Sequence, residues 1–197
     1  IRYYYASRGL GDVYKRQTYS YVKGDSRDSI IRRARLAMEK TLEEAWRQNR
    51  RKVLKNRRQL LTLASIIEKE TGVPEERADV AAVFINRLET GMKLQTDPTV
   101  IYALTEGKKD LGRPLYRKDL SVESPYNTYR NTGLPPGPIR IPSIAGIDAV
   151  LNHVKHDYLY MCAKEDFSGT HNFARTYREH LANAAKYSKA LNRRGIK

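Results

Sequence analysis

The sequence predicts an α+β chain in which a helical part, about residues 26 to 90, packs beside a smaller β-containing part that includes a long Pro-rich loop. Three observations carry this reading. Apolar residues recur at helical spacing in three stretches that end at Gly91; residues 121–142, SVESPYNTYRNTGLPPGPIRIP, hold five of the eight prolines; and two short strand-like runs, DYLYMCA and THNFA, come late. A chain of 197 residues with 40% hydrophobic content can bury one sizeable core or two small ones, which excludes general disorder.

From Asp25, Ile30, Ala34, Ala37, Met38, Leu42, Ala45 and Trp46 fall near helical spacing, a long amphipathic helix of about six turns with Ser26 or Asp28 as its cap. A basic loop leads to the helix LLTLASIIEKE, which ends at Thr71-Gly72-Val73-Pro74, with Gly72 suited to a left-handed terminal position and Pro74 unable to continue. The third helix, PEERADVAAVFINRLETG, has Pro74 at its start, acids in its first turn and Gly91 at its end. In LQTDPTVIYAL, Asp97 is expected to cap a short helix with Pro98 at its first position, and capping competes with a site role for this aspartate. Pro135-Pro136 between glycines admits neither helix nor central strand, and a loop so long with two tyrosines in it points to function. A helix at SIAGIDAVLNHV, a buried strand at DYLYMCA, a turn at DFSG, a strand at THNFA and a C-terminal helix from Tyr177 to about Leu191 complete the pattern.

The formal net charge of +15 is unevenly spread: residues 23 to 58 hold 13 Lys and Arg against 5 acids, net +8, and residues 59 to 197 hold 20 against 16, net +4. The excess belongs to one basic helix and its exit loop, RQNRRKVLKNRR, which reads as a solvated face or as attraction to an anionic surface or polymer. No nucleic-acid motif accompanies it, so nucleic acid is not expected as a partner; a non-catalytic basic module that binds an anionic polymer, nucleic acid among them, is the alternative to an enzyme. The single Cys162 excludes an internal disulfide framework and a multi-cysteine zinc site. His153 and His156 stand at i and i+3 without a third ligand at diagnostic spacing, so neither a metal nor another cofactor is expected. No apolar run approaches the ~18 to 20 residues of a membrane span.

Two carboxylates frame the functional question. Glu68 and Glu70 in LASIIEKETG both fall within the apolar arc of their helix, near opposite flanks, so they cannot easily flank one substrate bond, and periodicity does not choose between them. Position favours Glu70, because it lies nearer the helix C-terminus, where the dipole opposes negative charge, and partial burial would raise its pKa too. A raised pKa suits a general acid.

The motifs LASIIEKETGVPEER, VFINRL, LQTDPTVIYAL, YNTYRNTGLPPGPI and the late HNF, in this order, resemble the catalytic domain of the MltG/YceG-like endolytic murein transglycosylases. The resemblance runs from about Thr18 to the C-terminus, so residues 18–197 are expected to form that catalytic domain. It implies that the glutamate directly before the Thr of EKET, Glu70, is catalytic, with Glu68 a structural neighbour. It further implies lytic cleavage of the bond between N-acetylmuramic acid and N-acetylglucosamine with a 1,6-anhydro product, so that one carboxylate suffices where ordinary glycoside hydrolases place two. Sugar-binding candidates are Gln95, Asp97, Tyr126, Asn127, Thr128, Tyr129, His171 and Phe173. Peptidoglycan glycan strands are the implied substrate and peptidoglycan synthases further partners, at a bacterial cell membrane with the catalytic domain on its outer side. An upstream membrane helix and a LysM-like module are expected to anchor it. Residues 1–17 match nothing in the family; Asp12–Gln17, DVYKRQ, is the translation of a transposase end sequence used in DNA sequencing libraries, so this leader is expected to be an assembly artefact.

Overall fold

The computed structural model describes residues 19–49 and 53–195, so the leader at 1–17 and the middle of the basic loop lie outside the described residues. Among the described residues, six α-helices and one two-stranded antiparallel sheet make an α+β fold. Helix α1 (Arg27–Gln48) is capped by Ser26, whose side chain accepts from the Ser29 N–H, and it buries Ala34, Met38 and Leu42. Helix α2 (Arg57–Glu70) starts three residues earlier than its apolar run because the Asn56 side chain caps it. It is the centre of the molecule. Leu60, Leu63, Ala64, Ile66 and Ile67 have no exposed surface, and α2 packs on α1, α3 (Arg77–Glu89), α4 (Asp97–Thr105) and α5 (Ile144–Leu151). Full burial of each leucine or isoleucine stabilises the fold by roughly 1.5–3 kcal/mol.

Three polar side chains of this helix grip the Pro-rich segment and the serine that follows it. Arg58 Nε donates to the Pro136 carbonyl at 2.9 Å, the Ser65 hydroxyl accepts from the Ile139 N–H at 3.0 Å, and Glu68 accepts from Ser143. A Cβ at Gly137 would stand 2.8 Å from the Arg58 guanidinium, which would have to shift. Arg58 is therefore part of the scaffold, and Arg47 and Arg57 both pair with Glu43, so these members of the basic segment are engaged within the chain.

The two ends of α2 and α4 differ from the sequence reading. The chain leaves α2 through an extended, buried Thr71, whose hydroxyl accepts from the Val73 N–H, and Gly72 is not left-handed. A short 3-10 turn, Pro74–Glu76, then leads into α3, which ends before the left-handed Gly91. Asp97 is the first residue of α4 rather than its cap, and no side-chain cap hydrogen bond forms there.

Strands β1 (Tyr160–Ala163) and β2 (His171–Ala174) pair from Tyr160↔Ala174 to Ala163↔His171, and α6 (Tyr177–Arg193), with a Thr176–Glu179 capping box, lies against both. The strand holding Cys162 is half-buried, not buried as its composition suggested, because two strands and one helix have too little surface to enclose it. Two adjacent side chains of α3 attach this unit to the helical part. Asn86 donates to the carbonyls of His156 and Tyr158, and Arg87 donates to those of Leu159 and Leu94.

Candidate active site

Glu70 occupies the last turn of α2, half-buried, with its Oε2 accepting from the Thr96 hydroxyl at 2.7 Å. Thr96 is itself locked: it is buried, its N–H donates to the Thr128 hydroxyl at 3.1 Å, and Thr128 contacts the Thr99 hydroxyl at 2.8 Å. The Glu70 pKa is raised above its ordinary value chiefly by loss of hydration, and the negative charge of Asp97 adds to the rise. The Thr96 hydrogen bond and the nearby His171 and Arg87 oppose it without cancelling it. A carboxyl group in this setting holds its proton longer than a solvated one and has a hydroxyl partner that fixes its orientation, as general acid catalysis needs.

Glu68, two residues away, does different work. Its Oε2 accepts from the Ser143 hydroxyl at 2.6 Å and from the Ser143 N–H at 3.3 Å, which places a negative charge at the N-terminus of α5. Gly146 allows this approach, since a Cβ there would lie 3.1 Å from the same oxygen. The two carboxylates of EKE thus serve opposite flanks of α2, one bracing α5 and one facing Thr96.

Around Glu70 the chain gathers groups from four places. Asp97 is exposed and accepts from the Tyr129 hydroxyl at 2.6 Å; Tyr129 is half-buried, and burial and the Asp97 bond push its pKa up. Gln95 is exposed beside Thr96 with a left-handed backbone, φ 48°, which its N–H bond to the Thr128 carbonyl helps hold. A strained non-glycine residue in this place is what a site tolerates and a scaffold avoids. His171 comes from β2 and Arg87 from α3, both near enough to act on Glu70 electrostatically.

The sequence matches the YceG-like family over residues 13–186, a span that includes every one of these groups and overlaps residues 13–17 of the leader. The chain belongs to the YceG-like family. It is 40% identical over 175 residues to a Bacillus subtilis protein named endolytic murein transglycosylase, covering 89% of this chain and 47% of that one. A protein of the same name from Streptococcus pneumoniae D39 is 35% identical over 173 residues, covering 86% of this chain and 31% of the relative. A YceG-like protein from Listeria monocytogenes, solved by crystallography, superposes with a TM-score of 0.73 at 38% identity, covering 84% of this chain and 52% of that one. The chain therefore spans about half or less of the length of the relatives it matches.

In this YceG-like site not every expected sugar-binding residue has surface to offer. Asn127 is fully buried and its amide donates to the carbonyls of Leu120 and Val122, while Thr128 is buried behind Thr96. Both hold the loop's shape. Tyr126 packs its ring on Tyr102 at 4.6 Å against the core, and Phe173 lies between Tyr158 and His156 at 6.0 and 6.1 Å. Asn127 and Thr128 thus have their polar groups taken up inside the fold, while Tyr126 and Phe173 stay half-buried beside other rings. Gln95, Asp97, Tyr129 and His171 remain around Glu70. His153 and His156 are bound to backbone: His153 Nδ1 pairs with the Val150 carbonyl at 2.8 Å and His156 Nε2 with that of Asp79 at 3.1 Å.

Three residues of the site were not singled out from sequence. Thr96 hides between Gln95 and Asp97. Arg87 carried a signal, a cation in line with the buried Val80, Val83 and Phe84 of α3. Glu76, which holds His171, read as an ordinary first-turn acid.

Proposed function

We propose that this chain is the catalytic portion of an endolytic peptidoglycan lytic transglycosylase that cleaves between N-acetylmuramic acid and N-acetylglucosamine in glycan strands, leaving 1,6-anhydro muramoyl ends. The observation that supports it best is Glu70: a half-buried carboxyl with a raised pKa, held by Thr96, in a family whose named relatives are endolytic murein transglycosylases. Glu70 donates its proton to the glycosidic oxygen as the bond to the muramoyl C1 breaks, and an oxocarbenium-like centre develops there. The carboxylate then takes the proton of the muramoyl C6 hydroxyl while that oxygen bonds to C1. Protons balance, no water enters, and Glu70 ends protonated as it began.

Arg87 stabilises the carboxylate in the interval when it is charged, and the Thr96 hydroxyl keeps one oxygen fixed through both transfers. Gln95, Asp97 and Tyr129 offer hydrogen bonds to sugar hydroxyls. We place the activity at a bacterial membrane, on its outer side, with peptidoglycan synthases as natural partners for a strand-cutting enzyme. The test is mass spectrometry of muropeptides after incubation of the protein with purified sacculi. Anhydro-muramoyl ends are expected. Reducing ends would mean that water attacks C1 and that a second carboxylate, with Asp97 the nearest exposed one, acts as base.

A further inference from the structure

The geometry points to Glu76 as a positioning residue that fixes the tautomer of His171, so that the ring's Nε2 faces the site beside Glu70 as a hydrogen-bond acceptor for a sugar hydroxyl. This rests on the transglycosylase reading above for the identity of the ligand, though not for the tautomer.

Glu76 closes the short turn Pro74–Glu76 and sits six residues beyond Glu70, where Pro74 and the start of α3 hold it. Its two oxygens hold one residue of the other half of the molecule. Oε1 accepts from the His171 backbone N–H at 2.8 Å, and Oε2 meets His171 Nδ1 at 2.9 Å. Both side chains are largely buried, with 15% of His171 and 13% of Glu76 exposed. A carboxylate has no proton to give, so the proton of this bond resides on Nδ1, and in the neutral ring Nε2 is left with its lone pair. Among the described residues Nε2 has no hydrogen-bond partner. His171 is thus held by two bonds from one group, one to its main chain and one to its ring, near Glu70 and with an acceptor free. Arg87 offers a donor at this seam and Glu70 a proton; His171 adds the acceptor that neither provides.

Glu76→Gln isolates the effect. Its amide oxygen still accepts from the His171 N–H, but its NH₂ donates to Nδ1, which moves the ring proton to Nε2 and turns the acceptor into a donor. The full chain, labelled with ¹⁵N-histidine, reports the tautomer through the two ring-nitrogen shifts, and anhydro-muropeptide release from sacculi reports the rate. We expect an Nδ1–H ring in the wild type, an Nε2–H ring in Glu76→Gln, and a rate lower by about tenfold or more, the scale on which orienting partners act. In a His171→Asn background the same Glu76→Gln change should cost nothing further, whereas a purely structural role would lower the rate in both backgrounds. The assignment is overturned by a wild-type ring protonated on Nε2, by an unchanged rate in Glu76→Gln with the tautomer reversed, or by equal losses with and without His171. A wild type that releases no anhydro product sinks the transglycosylase reading and the sugar-acceptor role with it, and the ring-nitrogen spectrum still decides the tautomer.

Discussion

Helices α2 and α6 are both amphipathic, yet α2 buries every residue from Leu60 to Ile67 and α6 buries none. The difference lies in the neighbours. Four helices surround α2, whereas α6 has only a two-stranded ribbon to cover. The site straddles the two regimes: Glu70, Thr96 and Arg87 come from the deep half, and His171 from the shallow one. Asn86, Arg87 and Glu76 tie the halves together through four hydrogen bonds to backbone, so the seam is polar where the flanking core is apolar. The lesson is that the acid is set in rigid packing while its partner histidine rests on a unit with little apolar burial to resist opening.

Truncation should expose that contrast first. Leu63→Ala removes a fully buried side chain from α2 and should destabilise by about 2–5 kcal/mol, while Leu181→Ala in α6, 49% exposed, should cost less than about 1 kcal/mol. Urea midpoints at constant m-value measure both. Similar losses at the two positions would erase the distinction between deep and shallow halves.

Within α2 the next contrast is functional. Glu70→Gln keeps the shape and the Thr96 bond but can neither donate nor accept the proton, so release of anhydro-muropeptides should fall at least ~100-fold with the circular dichroism spectrum unchanged. Glu68→Gln should keep most of that activity. It retains an oxygen for Ser143 and loses the charge at the start of α5, a stability cost of about 0.5–1 kcal/mol for that contact. An inactive Glu68→Gln beside an active Glu70→Gln would exchange the roles given to the two residues.

Sequence periodicity revealed all three long helices and the C-terminal one, because Met38, Leu63 and Phe84 recur with neighbours at a spacing only a helix satisfies. The choice of Glu70 over Glu68 was legible in part, from its place nearer the helix end. What no spacing could show was the fate of the polar residues in the Pro-rich loop. Asn127 and Tyr129 are two residues apart and alike in character on paper, yet one is sealed beneath the loop by the Leu120 and Val122 carbonyls and the other reaches Asp97. The Asn127 contacts are local but depend on how the loop folds back, and the Tyr129 contact joins residues 32 apart in sequence. Glu76 was hidden for the same reason, since its partner His171 lies 95 residues away.

The smallest effect concerns the deep half's own stability. Burial raises the Glu70 pKa above the ordinary 4.5, so the folded chain holds this proton more tightly than the unfolded chain does. Between 4.5 and the raised value the folded state binds more protons, and stability therefore falls as pH climbs through that window, with the full penalty present above it. Glu70→Gln removes the titration and keeps an acceptor for Thr96. Its melting temperature should exceed that of the wild type at pH 8, and the advantage should shrink steadily as pH drops, disappearing once the wild-type carboxyl is protonated in both states. Paired thermal melts from pH 4 to pH 8 measure it. A difference that stays constant across the range, or grows in acid, would mean that Glu70 ionises in the folded protein as freely as in solvent, and the site would then lack the desolvated acid on which its proposed chemistry depends.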